Sequence, residues 1–226
     1  MKKLLVLLFL TSALFAVEIL TEPLLELLAL HGVEHDGSWE SIVRETQKQK
    51  RECGKELWDL KDDGQDQRRI FELASALEMT QTRLPSKKHY AYGVVLGARR
   101  AFLQQRLNFL LAQNITFDEL VFLVDVKEEV PSFEWEGKVT VISYKSDQSR
   151  ATTKDTLQLW APEKGDALIV SSQPFIGRQG ATCLNNLNID FEIVGPGFTF
   201  EDFLHYPAGP AIIWETVIRW IYEVHA

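Results

Sequence analysis

Three arginine-bearing stretches carry the residue types that could do chemistry. The first is Gly97-Ala98-Arg99-Arg100, with Arg106 two turns further along. The second is Ser146-Asp147-Gln148-Ser149-Arg150, running into Thr152-Thr153-Lys154-Asp155-Thr156. The third is Ser171-Ser172-Gln173-Pro174-Phe175, followed by Arg178 and Gln179. Two of these stretches open helices, whose free N–H groups and dipole favour anions. Guanidinium, hydroxyl and amide groups gathered in an otherwise acidic chain would focus a small anion such as phosphate or carboxylate. The expected ligand-binding set is Gly97, Arg99, Arg106, Arg150, Thr153, Asp155, Thr156, Ser171, Ser172, Gln173, Arg178 and Gln179. The alternative is that some of these arginines are surface residues paired with Asp or Glu.

Catalytic signals are thinner. Asp125 ends an apolar run and is the one carboxylate placed for chemistry or metal binding; a turn aspartate at a strand end has the same position. His89 and His205 could serve as bases, although a lone histidine is commonly structural or exposed. Ser171 and Ser172 lack a G-x-S-x-G setting, and neither a G-x-G-x-x-G nor a P-loop lysine motif occurs. His31-Gly32-Val33-Glu34-His35 matches H-x-x-E-H formally. That zinc chemistry needs both histidines on one face of a continuous helix, and Gly32 interrupts it, so a helix terminus is expected instead. Cys53 and Cys183 are the only cysteines. They could pair in an oxidising compartment, but nothing in their spacing indicates it, and no C-x-x-C exists. No metal site is expected, and the sequence names no cofactor.

The elements that must position these loops are legible from periodicity. Tyr90–Leu96 is a short apolar run that meets Gly97, after which apolar residues recur at Leu103, Leu107, Leu110 and Leu111. That change of period marks a strand passing through a tight turn into a helix. Further strands are expected at Glu119–Val124, Val139–Ser143, Ala167–Ser171 and Phe191–Val194. Helices are expected from Thr152 or Thr153 to Trp160, from Ile176 to Leu187 and from Ala211 to Val224. Thr152 and Asp155 have capping-box spacing. Nearly continuous apolar strands alternating with helices imply an α/β fold, a Rossmann-like parallel sheet of about five strands covered on both faces. With strand one central, the order is 3-2-1-4-5, and strands one and four meet at the topological switch point where open α/β sheets bind ligands.

Before this unit the chain reads differently. Met1–Ala16, MKKLLVLLFLTSALFA, has two lysines, a short apolar run and small residues, the layout of a secretory signal peptide. An uncleaved anchor is the alternative, since Ile19–Leu30 is also apolar. Cleavage would remove Lys2 and Lys3 and take the net charge from −8 to −10. Such an acidic chain is not expected to bind nucleic acid. Residues 17–85 form a polar, helix-rich extension, with Pro23 in a first turn and Ile70, Phe71, Leu73, Ala74 and Leu77 as a buried side. Leu84-Pro85-Ser86 closes it, and 86–226 is the α/β domain.

The motifs YAYGVVLGA, RLNFLL, FDELVFL, SRATTKDT, ALIVSSQPFIGRQ and VGPG, in that order, resemble the DUF218 (YdcF/SanA-like) family over about Tyr90–Val194. The resemblance implies a Rossmann-like, envelope-associated protein with its pocket at these loops. Carried over by position, that pocket holds Gly97, Arg106, Thr153, Asp155, Thr156, Ser171, Gln173, Arg178 and Gln179. Ala98-Arg99 and FLVDV depart from the family's turns after strands one and two. Two functions follow as expectations: an exported binder of a phosphate-containing or nucleotide-like ligand in envelope metabolism, or a non-catalytic accessory protein that contacts a protein partner through its helical extension. A membrane association is expected only through an uncleaved leader.

Overall fold

The computed structural model describes residues 21–47, 50–52, 55–57, 66–98, 100–143, 152–204 and 208–224. The leader Met1–Ala16, Cys53, Arg99, the stretch 146–150 with Arg150, and His205 lie outside the described residues.

The chain begins with a helical layer. Helix α1 (Glu22–Leu30) starts behind Thr21 with Pro23 in its first turn, and Leu24, Leu27 and Leu28 form its buried stripe. His31 ends it, Gly32 turns away at φ +63°, and His31 folds back so that Nδ1 lies 2.9 Å from the Leu27 carbonyl. The HGVEH stretch is therefore a helix terminus followed by a turn. Helix α2 (Trp39–Thr46) is capped by Ser38, whose hydroxyl accepts from the Ser41 N–H. The charge-rich stretch beyond it forms a two-stranded antiparallel hairpin, β1 (Lys50–Glu52) with β2 (Lys55–Leu57), where the composition suggested helix. That stretch has no apolar stripe at helical spacing, so no packing face holds a helix there. Helix α3 (Gln67–Ala76) is capped by Asp66 and buries Ile70, Leu73 and Ala74.

The α/β unit follows. Strand β3 (His89–Leu96) leads to α4 (Arg100–Leu111), β4 (Thr116–Val124) and β5 (Lys138–Ser143). Then come α5 (Thr153–Trp160), β6 (Asp166–Val170), α6 (Ile176–Leu184) and β7 (Asp190–Val194). The chain closes with a short helix α7 (Phe200–Phe203) and α8 (Ala208–Val224). The five strands are parallel in the order β5-β4-β3-β6-β7, which is the expected 3-2-1-4-5. Val94 pairs with Val121 on one side and Ile169 on the other, so central strands are apolar on both faces. Alternation divides them. Tyr90, Val95, Phe122 and Val170 pack under Leu103, Leu107 and Leu110 of α4. Val94, Leu96, Val121 and Ile169 face Leu157, Cys183 and Leu187 on the side of α5 and α6.

A third core joins the two ends of the chain. Leu24, Leu27, Leu28, Ile42, Ile70 and Leu73 pack with Phe203, Ile212, Ile213 and Val217. Trp39 of α2 stacks on Trp220 of α8, with ring centroids 4.2 Å apart. Helix α8 packs along α6 as well, so it connects the helical layer to the sheet layers. Helix α8 begins three residues earlier than periodicity suggested, because Pro210 is tolerated in a first turn. No helix among the described residues is long and apolar enough to cross a membrane.

Leu28 is fully buried in this shared core. Leu28→Ala should lower the unfolding free energy by about 2–5 kcal/mol. Urea unfolding followed by circular dichroism should show one transition moved to lower midpoint. Loss of the helical layer alone, in a separate early transition, would contradict a shared core.

Candidate functional site

The switch point lies where β3 and β6 run side by side and their outgoing loops diverge. At Gly97 the end of β3 passes so close to β4 that an added Cβ would lie 2.7 Å from the Leu123 carbonyl oxygen and 3.1 Å from the Val124 Cα. Glycine is thus required by close backbone approach. The carbonyls of Leu96 and Gly97 then need partners where the ladder ends.

Arg106 supplies them. It shares the buried stripe of α4 with Leu103, Leu107 and Leu110 and is 2% exposed. Its Nη1 donates to the Leu96 carbonyl at 2.8 Å and the Gly97 carbonyl at 3.0 Å. Nε and Nη2 donate to the Ser172 hydroxyl at 3.3 and 3.0 Å. The planar fork ties the end of β3 to the loop after β6.

A second chain of bonds crosses to α5. The Ser171 hydroxyl donates to Gln179 Oε1, and Gln179 Nε2 donates to the Thr153 hydroxyl at 3.2 Å. Thr156 donates to the Thr153 carbonyl at 3.1 Å. Ser171, Gln179 and Thr156 are all buried. At the mouth of α5, Thr152 and Asp155 form a capping box: the Asp155 carboxylate accepts from the Thr152 N–H at 2.8 Å and its hydroxyl at 2.6 Å. Those bonds from the Thr152 side chain and backbone hold the Asp155 carboxyl below its ordinary range. A carboxylate already occupying this helix N-terminus works against a second anion there.

Gln173 is buried over the end of β6. Its Nε2 donates to the Glu78 and Gln81 carbonyls, both at 3.1 Å. Arg178 turns away from the switch point toward α8. Its Nε donates to Glu215 at 2.7 Å, and its guanidinium lies 5.4 Å from the Trp214 ring centroid. Glu215 is 1% exposed, so the pair is largely desolvated. Sequence reasoning missed Glu215. Its signal was a lone carboxylate beside Ile212, Ile213, Thr216 and Val217, a position that demands a basic partner.

The structure thus brings together Gly97, Arg106, Ser171, Ser172, Gln173, Gln179, Thr153 and Thr156, with Asp155 at the rim. Arg178 is not among them. Asp125 follows β4 and is half-buried. His89 sits at the opposite, N-terminal edge of the sheet, exposed, with Nδ1 2.9 Å from the Thr116 hydroxyl. Cys183 is a free, buried thiol, and burial pushes its pKa up to about 12, so it is not a nucleophile at neutral pH.

Two open grooves also lie at the N-terminal edge rather than the switch point. One, of about 410 Å3, is lined by Tyr92, Asp118, Glu119, Lys138 and Lys164. The other, of about 380 Å3, is lined by Ser86, Lys87, Tyr90, Asp166 and Glu192. Much of their charge is paired: Lys138 with Glu119 and Lys87 with Asp166, each at 2.8 Å. Tyr90 donates to Glu192 at 2.5 Å. Shallow openings whose charges bind one another hold a ligand poorly, so we place the candidate site at the switch point.

Arg106→Ala would leave the Leu96 and Gly97 carbonyls and the Ser172 hydroxyl without their donor, and should cost about 2–4 kcal/mol in urea unfolding. Arg106→Lys should recover only part, because an ammonium cannot reproduce the fork. Asp155 has a folded pKa below its ordinary 3.8, so its stabilisation is present above that value and is lost as pH falls through the folded pKa. The stability difference between the wild type and Asp155→Asn should therefore be constant near neutrality and shrink as acid titration passes below 3.8. A difference that grows in acid would reverse the assignment.

No known family matches this chain, nor does any curated protein or solved structure.

Proposed function

We propose that this chain is an exported, non-catalytic accessory protein on a Rossmann-like framework, in which the switch point serves as a structural joint and binding to a partner is the activity. One observation carries this reading. Among the described residues, the buried guanidinium and amide donors of the expected set are bonded to the protein itself: Arg106 to Leu96, Gly97 and Ser172; Gln173 to Glu78 and Gln81; Gln179 to Thr153. Arg178 is spent on Glu215 outside the joint. To bind phosphate there, buried groups would have to give up bonds already made in a dry setting, and each orphaned group costs about 1–3 kcal/mol. The Lys2-Lys3 leader motivates the export. The resemblance to the DUF218 family implies a pocket at these same loops, and the internal bonds of Arg106, Gln173 and Gln179 are what favour a joint in its place.

Deleting residues 38–84 is not a clean test of partner binding, because Ile42, Ile70 and Leu73 belong to the core shared with α8. A ligand screen is cleaner. The protein lacking Met1–Ala16 is heated with nucleotides, S-adenosylmethionine, sugar phosphates and polyprenyl phosphates. A ligand that binds only the folded state raises the melting temperature saturably. The joint reading predicts a flat screen. A saturable rise that survives in Arg178→Ala but vanishes in a Thr153→Ala variant would overturn it and restore an anion site at the switch point.

A further inference from the structure

One segment outside the expected site lies beside it, bonded to Gln173 and to the loop after β7. Between α3 and β3 the chain runs across the carboxyl ends of β6 and β7. Arg83 and Gly195 exchange two main-chain bonds as an antiparallel bridge, at 3.0 and 3.1 Å. The Phe198 N–H donates to the Thr80 carbonyl at 3.1 Å, and the Gly197 N–H donates to the Thr82 hydroxyl at 3.0 Å. Gln173 adds its two bonds to the Glu78 and Gln81 carbonyls. Gly197 lies so tightly against this segment that an added Cβ would be 2.7 Å from the Thr82 nitrogen.

The segment is anchored at its ends and exposed between them. Met79 is buried in the helical core, its sulfur 3.4 Å from the Thr216 hydroxyl. Ser86 is held by the Glu192 carboxylate, through its N–H at 3.0 Å and its hydroxyl at 2.8 Å. Between these anchors Gln81 and Thr82 are exposed, and Leu84 is 64% exposed. Polar bonds at the surface hold it with little apolar burial, the composition of an element that opens below the global unfolding energy.

We propose that residues 80–85 are a strap, hinged at Met79 and Ser86, that opens while the sheet stays folded, and that an extended peptide segment of a partner takes its place. The open surface offers what a strand needs: both main-chain groups of Gly195, the Phe198 and Gly197 N–H groups, and the Gln173 carboxamide. Recognition through main-chain bonds is strand addition, and it selects an extended backbone. This names the partner class for the accessory reading and rests on it.

The experiment is residue-resolved hydrogen exchange on the protein without Met1–Ala16, in wild type and Thr82→Ala. Thr82 is exposed and lies on the strap, so the variant loosens the strap and leaves the receiving surface whole. The amides of Arg83, Gly195, Gly197 and Phe198 should exchange faster than those of Val94 and Val121 in the wild type. In Thr82→Ala they should be faster again, by roughly five- to tenfold for one lost hydrogen bond. A synthetic peptide of residues 78–85, EMTQTRLP, added in excess to the variant, should slow exchange at Gly195, Gly197 and Phe198 back toward the wild-type rates. Loosening is needed because the tethered strap competes at a high effective concentration. Exchange of these amides in step with Val94 and Val121 would overturn the strap, and absence of protection by the peptide would overturn its replacement. Neither result depends on the ligand screen, whose failure would strike the accessory reading alone.

Discussion

The guanidinium of Arg106 is the interaction on which the central arrangement depends. An open parallel sheet whose winding reverses between its first and fourth strands must leave strand-end carbonyls where two loops diverge. Water satisfies them in a sheet with an open crevice. Here Arg106 does so from beneath, and it also holds the Ser172 hydroxyl on the neighbouring loop. A buried guanidinium is costly unless its donors are hydrogen-bonded. Several oriented acceptors around one fork meet that condition. The apolar stripe of α4 fixes where the fork starts, and Gly97 lets the strand end reach it.

The ordering of strands was legible because each apolar run is bounded by turn residues, and the runs alternate with helical spacing. The Thr152–Asp155 cap was legible for a similar reason: it is local, and its geometry follows from a spacing of three. The positions of Arg106, Ser171, Ser172, Gln173 and Gln179 at the switch point were legible from topology. Their occupation was not. Whether an arginine faces a ligand or its own backbone depends on contacts between elements distant in sequence. Arg178 shows this most clearly. Its place at the start of α6 suggested the crevice, but its partner Glu215 belongs to α8, distant in sequence. The segment 78–83 gave no sequence signal of its seat on Gly195, because the bonds are main-chain bonds that any residues could make.

The N-terminal helices and the sheet are physically continuous through α8. One face of that helix completes a core with Leu24, Leu27 and Leu28, and another packs on α6. The Arg178–Glu215 pair lies along the second contact and fixes how the two helices meet. The division at Leu84-Pro85-Ser86 that composition suggests is therefore a change in local pattern across which packing continues.

That continuity sets a timetable for synthesis. Leu24, Leu27 and Leu28 leave the ribosome long before Ile212, Ile213 and Val217, which share their core. Contacts so far apart in sequence close late and slow the search for the native state. Until α8 is made, the apolar stripes of α1 and α3 have each other but lack the rest of their cover, and exposed apolar surface of that kind favours aggregation. A chain whose N-terminal helices wait for α8 keeps that apolar surface uncovered throughout the interval.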